Sequence, residues 1–322
     1  MESPNKPRHL KNTRFTKKKV ERNDSSSGSE EDVEANKDKK NNVPCTSSTS
    51  STCVDAPTDF LENFRLHIPN WAGLIQYRDL RNVTLTNTCT IDNFLFALWH
   101  LSKIKPDSFE ETEPTQEIVG LKEIVKLIDI HKWNLAKEKW VNNFLKLSES
   151  PINKTISLFG SEKNFFLNPL KKIQRHELIQ LCKVECIQNA NLIIRDDSEE
   201  IFLKKIKKQI VVHSCYTDRC TQCRKKSSSF IRFYKKTRFI FFQSADPNIF
   251  IKDLPDQLTI DNEDFKFLCS TVYTSRHFIS IFKINEIFYK VDDLDKSLVA
   301  LDEKISSAYF KKPTTVSLYY KD

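Results

Sequence analysis

The chain has 322 residues, of which 39% are hydrophobic and 29% are charged, and its formal net charge is +8. No stretch approaches the roughly 18 apolar residues that a helix needs to cross a bilayer, so no membrane association is predicted. The N-terminus has no apolar run, which argues against a secretory signal and predicts an intracellular protein of the nucleus or cytoplasm. The nine cysteines are then expected to be thiols or metal ligands rather than disulfides.

The N-terminal residues 1–57 are predicted to form a disordered, basic and serine-rich tail. Phe15 is the only aromatic residue there, and Ser, Thr, Asn, Lys and Glu dominate, so the segment cannot bury enough apolar surface to offset its ordering entropy. The run Lys17–Lys19 has the character of a nuclear import signal, although a solvated tail explains it equally well. Elsewhere basic and acidic residues are mixed, so nucleic-acid binding is expected only through the tail.

Residues 58–322 are predicted to fold as a single α+β domain, with a helical part at about 58–190 and a sheet part at about 191–322. Apolar residues at helical spacing predict helices around 91–98, 121–128 and 141–145. Runs rich in Val, Ile, Phe, Tyr and Thr predict strands at 192–195, 209–214, 238–243, 265–273, 277–284, 286–292 and 315–320. Helices followed by an antiparallel sheet is an α+β order.

Cys89 is the candidate nucleophile. A polar stretch that includes Asn87 precedes it and an amphipathic helix pattern follows it, which places the cysteine at a helix N-terminus. Unpaired backbone N–H groups and the positive end of the helix dipole favour a thiolate there, and the same groups can stabilise an oxyanion. Asn87 or Thr84 is expected to add a side-chain donor. The alternative is a buried, inert cysteine near a helix cap.

His277 is the candidate general base, because it opens a strand whose return strand ends in Asp292-Asp293. A turn near Asn285-Glu286 would set one of these carboxylates opposite the imidazole, where it can orient the ring and stabilise the imidazolium. The alternative is a structural or solvated histidine.

The two segments resemble the ubiquitin-specific proteases, a papain-like family. TNTCTIDNFL is similar to that family's nucleophile motif, and residues 253–294 are similar to its histidine region, with a Leu-Pro segment, a histidine before an aromatic residue and a closing Asp pair. The resemblance implies a Cys89–His277–Asp292 triad, no cofactor for catalysis, and a monomer acting on conjugates of ubiquitin or a ubiquitin-like protein such as SUMO. The family's glycine before the histidine is replaced by Arg276, and Thr84 occupies the position where the family often has an oxyanion-hole Asn. These departures leave open an inactive module that binds ubiquitin-like proteins, and a nucleic-acid-associated protein is a third reading.

A cysteine cluster predicts a structural zinc site as a further option. Cys220 and Cys223 have the spacing of a zinc knuckle, and Cys215 and His213 could complete a tetrahedral set. The alternative is a metal-free hairpin with reduced thiols.

Overall fold

The computed structural model describes residues 58–78, 81–110, 115–145, 147, 154–171, 173–174, 176–182, 191–194, 201–214, 227–233, 237–301 and 307–322. These residues belong to one compact unit. The tail predicted for residues 1–57 lies outside the described residues, so the tail and the domain boundary after it stay predictions.

Helices dominate the first part of the described chain, where helical spacing predicted them. They are α1 (Thr58–Leu66), α2 (Cys89–Ile104), α3 (Gln116–Asp129), α4 (Trp133–Asn143) and the short α5 (Asn168–Leu170), which follows a π-helical turn at Lys163–Leu167. Helix α3 begins where it does because the Thr115 side chain accepts a hydrogen bond from the Ile118 N–H, which satisfies one of the unpaired donors of the first turn.

Three strands that the sequence did not predict interrupt this helical part. They are β1 (Gly73–Tyr77), β2 (Arg81–Thr86) and β3 (Thr155–Ser157), in the sheet order β1-β2-β3. The first pair is antiparallel and the second is parallel. Only Asn87 and Thr88 separate β2 from α2, so this small sheet fixes the direction in which the chain enters the helix.

The second part is built from strands, and the seven predicted from the sequence are confirmed with shifts of one or two residues at their ends. Five more, at 176–182, 201–206, 227–233, 257–260 and 297–301, were not predicted, and the first of them lies before the predicted start of the sheet part at about 191. The strands are β4 (His176–Cys182), β5 (Asn191–Ile194), β6 (Ile201–Ile206), β7 (Gln209–Ser214), β8 (Ser227–Phe233), β9 (Phe239–Ser244), β10 (Gln257–Ile260), β11 (Glu263–Thr274), β12 (His277–Ile284), β13 (Ile287–Asp292), β14 (Ser297–Leu301) and β15 (Thr314–Lys321), with the short helix α6 (Ser307–Phe310) before the last strand.

Nine of these strands form one large sheet. Its order is β14-β13-β12-β11-β15-β9-β6-β7, and β10 pairs with β11 beside this path. The pairing of β6 with β9 is parallel, so the sheet is mixed at that point rather than purely antiparallel as expected. Strands β5, β4 and β8 form a separate three-stranded sheet. The α+β class, with a helical part packed on a C-terminal sheet, is confirmed.

Helix α2 lies in the centre of the core, where the helices meet the large sheet. Every residue from Cys89 to Leu101 is buried, because the helix is apolar nearly all round and must be covered on every side. The ring of Phe96 meets the ring of Phe282 on β12 edge to face, with centroids 5.4 Å apart. This packing brings the first turn of α2 to the strand that His277 opens.

None of the described helices has both the length and the apolar character needed to cross a bilayer.

Candidate active site

Cys89 is the first residue of α2, as the sequence predicted. Its residue exposure is only 5%, yet its side chain reaches the ring of His277 and it lines a surface cavity of about 420 Å³. The N–H groups of Ile91 and Asp92 already donate to the Thr88 carbonyl, so the helical hydrogen bonds begin two residues beyond the cysteine. The backbone N–H groups at the cysteine itself therefore precede the first helical hydrogen bonds and can donate hydrogen bonds to an anion.

His277 stands at the first position of β12, between the cysteine and a pair of carboxylates. Its Nε2 lies 2.9 Å from Asp292 Oδ1, in hydrogen-bond geometry, which leaves Nδ1 for the sulfur. The pairing of β12 with β13 runs from Ile284↔Ile287 to Ser280↔Val291, and Asn285-Glu286 form the turn as predicted. Continuing that register puts position 294 opposite the histidine, so the expectation of a directly opposite carboxylate was wrong. Asp292 reaches the ring diagonally, a separation that longer side chains span.

Asp293 is the second carboxylate at the imidazole, and it is the more deeply buried one. Its Oδ1 lies 3.1 Å from His277 Nε2, its side chain is 1% exposed, and neither oxygen has a hydrogen bond in proper geometry to any described residue. Burial alone lowers the pKa of His277, but the two carboxylates and the Cys89 side chain outweigh it and raise that pKa to about 11. The imidazole is therefore held as an imidazolium at neutral pH, next to the sulfur.

Asn93 links the helix of Cys89 to the strand of His277, and the sequence analysis did not predict it. Its Nδ2 donates to the carbonyl of Cys89 and to the carbonyl of Phe278, each at 3.0 Å, and the residue is buried. A single amide thus joins the first turn of α2 to the strand residue after His277. A polar residue four positions after the cysteine, inside an otherwise apolar helix, was the signal that could have indicated it.

A buried ion pair lies at the first turn of α2, and the sequence analysis did not predict it either. Lys137 Nζ on α4 lies 2.9 Å from Asp92 Oδ2, with both side chains fully buried. The same ammonium donates to the carbonyls of Asn70 and Ala72, and the Thr88 hydroxyl donates to Asp92 Oδ2 at 2.5 Å. Burial raises the pKa of Asp92 to about 8, with Lys137 opposing the rise and the nearby Asp293 adding to it.

The cavity beside Cys89 is lined mainly by apolar and neutral groups. The described residues that line it are Asn87, Cys89, Thr90, Phe159, Gly160, Ser161, Tyr273, Arg276, Phe278 and Thr315. Asn87 has a left-handed backbone, with φ of 55°, and its Nδ2 donates to Ser157 Oγ at 3.0 Å. It thus shares the cavity with the cysteine, and its role as an oxyanion donor stays a prediction.

Thr84, the other predicted donor, is not brought to the cavity. It is an exposed residue within β2, paired with Leu74 and with Thr155, and it is absent from the described lining. The geometry lends its predicted role no support.

Two sets of residues bear on metal binding. The predicted zinc ligands Cys215, Cys220 and Cys223 lie outside the described residues, and the ring of His213 stacks on Phe202 with centroids 5.4 Å apart, so that site stays a prediction. Among described residues, donor atoms of His277, Asp292 and Asp293 lie within 4.8 Å of one another and could also hold a cation.

Comparison with known proteins adds only distant structural likenesses. No family model and no curated protein matches the sequence. One similar structure is the SAGA DUB module containing Ubp8, Sgf11, Sus1 and Sgf73 bound to monoubiquitin. The similarity covers 80% of this chain and 70% of the matched chain, with 10% sequence identity and a TM-score of 0.43. An essential yeast splicing factor (83% of this chain, 75% of its own, 12% identity, TM-score 0.37) and the papain-like protease of MERS coronavirus (83% and 74%, 11% identity, TM-score 0.38) are also similar.

Proposed function

We propose that this chain is a cysteine peptidase that cleaves ubiquitin or a ubiquitin-like protein from conjugates, with Cys89 as nucleophile, His277 as acid and base, and Asp292 as the group that orients the imidazole. The observation that supports it most is that the Cys89 side chain, which lines the cavity, meets the ring of His277, and that this ring is hydrogen-bonded to Asp292. Cys89 and His277 are 188 positions apart in the sequence. A helix N-terminus, an imidazolium and a surface cavity together are the surroundings that make a cysteine nucleophilic.

The reaction is an acyl transfer. The Cys89 thiolate attacks the scissile carbonyl carbon, and the developing oxyanion is held by backbone N–H groups at the start of α2. The His277 imidazolium gives its proton to the leaving amine, and the neutral imidazole then takes a proton from the water that hydrolyses the thioester. Asp292 keeps Nε2 engaged throughout, so that Nδ1 faces the sulfur. This mechanism requires no metal and no cofactor.

Activity-based probes test the proposal. Ubiquitin, SUMO and other ubiquitin-like proteins carrying a C-terminal vinyl electrophile are incubated with the full chain, and adducts are detected by a mass increase on gels and by peptide mapping. We expect an adduct at Cys89 with at least one probe, abolished in Cys89→Ser and slowed roughly 10²–10⁴-fold in His277→Ala, as expected when a general acid–base group is lost.

Cys269 supplies a matched control. It is a free cysteine that is buried on β11, and burial raises the pKa of its thiol, so it has no means of attacking a protein-sized probe. Cys269→Ala should therefore keep the label that Cys89→Ser loses. Binding of a probe without any adduct would contradict the peptidase and favour an inactive module that recognises ubiquitin-like proteins.

A further inference from the structure

Arg276 is the only basic residue, and no Asp or Glu occurs, among the described residues that line the cavity beside Cys89. It is exposed, and no hydrogen bond or ion pair joins it to another described residue. The neighbouring walls are aromatic, from Phe159, Tyr273 and Phe278. The Arg276 guanidinium thus has no counterion in the described part of the protein and lies beside apolar side chains. It is available to bind an anionic group that enters the cavity.

The backbone holds this arginine next to the reacting groups. Thr274 on β11 pairs with His277 on β12, so only Ser275 and Arg276 form the turn between the two strands. Their φ angles are 51° and 69°, the pattern of a tight two-residue hairpin turn whose twist matches the flanking strands. The Cα of Arg276 is therefore fixed directly before His277, and the arginine lines the same cavity as Cys89.

The surroundings of the turn add positive charge rather than negative charge. The Lys312 ammonium donates to Thr274 Oγ1, at the strand position paired with His277. No acidic residue occurs in the described lining of the cavity. The carboxylates of Asp292 and Asp293 face His277 Nε2. The buried carboxyl of Glu162 accepts hydrogen bonds from Thr315, which lines the cavity, and from Thr271.

We propose that Arg276 makes this site selective for conjugates whose acceptor segment is acidic, with a carboxylate on a residue near the modified lysine. The guanidinium offers a planar fork of donors that matches a carboxylate, and the apolar walls strengthen the pair by excluding water on one side. This selectivity rests on the proposed function of Cys89, because it describes what the same site accepts.

Two small alkylating reagents test the proposal without knowledge of the natural substrate. Iodoacetate and iodoacetamide have nearly the same size, and only the first carries a carboxylate. The rate at which each modifies Cys89 in the full chain is measured by mass spectrometry of the Cys89 peptide, and the ratio of the two rates is compared between variants. The ratio cancels any change in the reactivity of the sulfur itself.

We expect the iodoacetate-to-iodoacetamide ratio to fall about five- to fiftyfold in Arg276→Gln, the range that one charge at contact distance gives in a partly solvated site. Arg276→Lys should retain most of the ratio and Arg276→Glu should lower it further. The differences should shrink as salt is raised from 0.05 to 0.5 M, because exposed charges are screened.

Lys207→Gln is the matched control. Lys207 also lies in a two-residue hairpin turn with positive φ, between β6 and β7 at the far end of the large sheet, and its removal should leave the ratio unchanged. A ratio in Arg276→Gln within twofold of the unmodified chain overturns the proposal. Failure of the proposed function gives a different result, in which iodoacetamide modifies Cys89 no faster in the unmodified chain than in His277→Ala.

Discussion

Replacing Lys137 by Met tests whether the buried ion pair supports the first turn of α2. The substitution keeps the length of the side chain but removes the ammonium, which leaves Asp92 buried without its counterion and the carbonyls of Asn70 and Ala72 without their donor. Breaking a fully buried pair from one side costs about 3–5 kcal/mol. Domains of this kind are stable by only about 5–15 kcal/mol, so the loss is a large share of the total.

The measurement is urea unfolding followed by tryptophan fluorescence, since Trp99 and Trp140 are buried in the same core. The control is Lys139→Met, two residues along the same helix. Lys139 pairs with Glu123 at the surface, where the two side chains are 39% and 48% exposed, so its loss should cost less than about 1 kcal/mol.

Two further results are expected if the reasoning about Lys137 is right. Asp92→Asn in the Lys137→Met background should recover part of the lost stability, because an amide needs no counterion and, unlike the carboxyl, does not ionise in the unfolded chain. The deficit of Lys137→Met should also grow as the pH rises above about 8. Asp92 of the unmodified protein then ionises in the folded chain as well, so its stability stops falling, whereas without Lys137 the pKa of Asp92 lies higher still and stability continues to fall. Equal losses in Lys137→Met and Lys139→Met would refute the argument.

Three other predictions concern the site and its surroundings. Asp292→Asn should slow probe labelling of Cys89, but less than His277→Ala does, because the imidazole loses its orienting charge while remaining present; equal losses would contradict this order. Treatment with a chelator should leave labelling unchanged, since sulfur is the nucleophile; a loss restored by zinc would contradict this and indicate a bound metal, either at His277, Asp292 and Asp293 or at the predicted cysteine site. Burial raises the pKa of Glu162 from 4.5 to about 8, and hydrogen bonds from Thr315 and Thr271 oppose the rise. The protonated form of Glu162 therefore stabilises the folded chain, and the free energy of unfolding should fall as the pH rises from about 4.5 through 8. Glu162→Gln should flatten that slope in urea midpoints measured at pH 5 and pH 8, and parallel slopes for the two proteins would contradict the assignment.

Local patterns were enough to predict the elements that carry the candidate triad. An amphipathic run after Cys89 predicted α2, and alternating apolar residues around Asn285-Glu286 predicted the β12–β13 hairpin, because helix and hairpin periodicity are written in neighbouring residues. The strands β1 to β3 escaped prediction since each is short and two of them pair across 70 or so positions, which no local pattern records.

Residue types and local patterns were enough to supply the reacting groups: a cysteine at a helix start, a histidine at a strand start and an aspartate pair after the return strand. How these groups meet depends on contacts between distant segments of the folded chain. In the folded chain Asp292 lies diagonal to His277 rather than opposite it, and Thr84 is exposed on its strand. The Asn93 amide, within helix α2, links Cys89 to β12. The physical reason is that hydrogen bonds and ion pairs between distant segments depend on how the core packs, and the packing of α2 against β12 is a property of the whole chain.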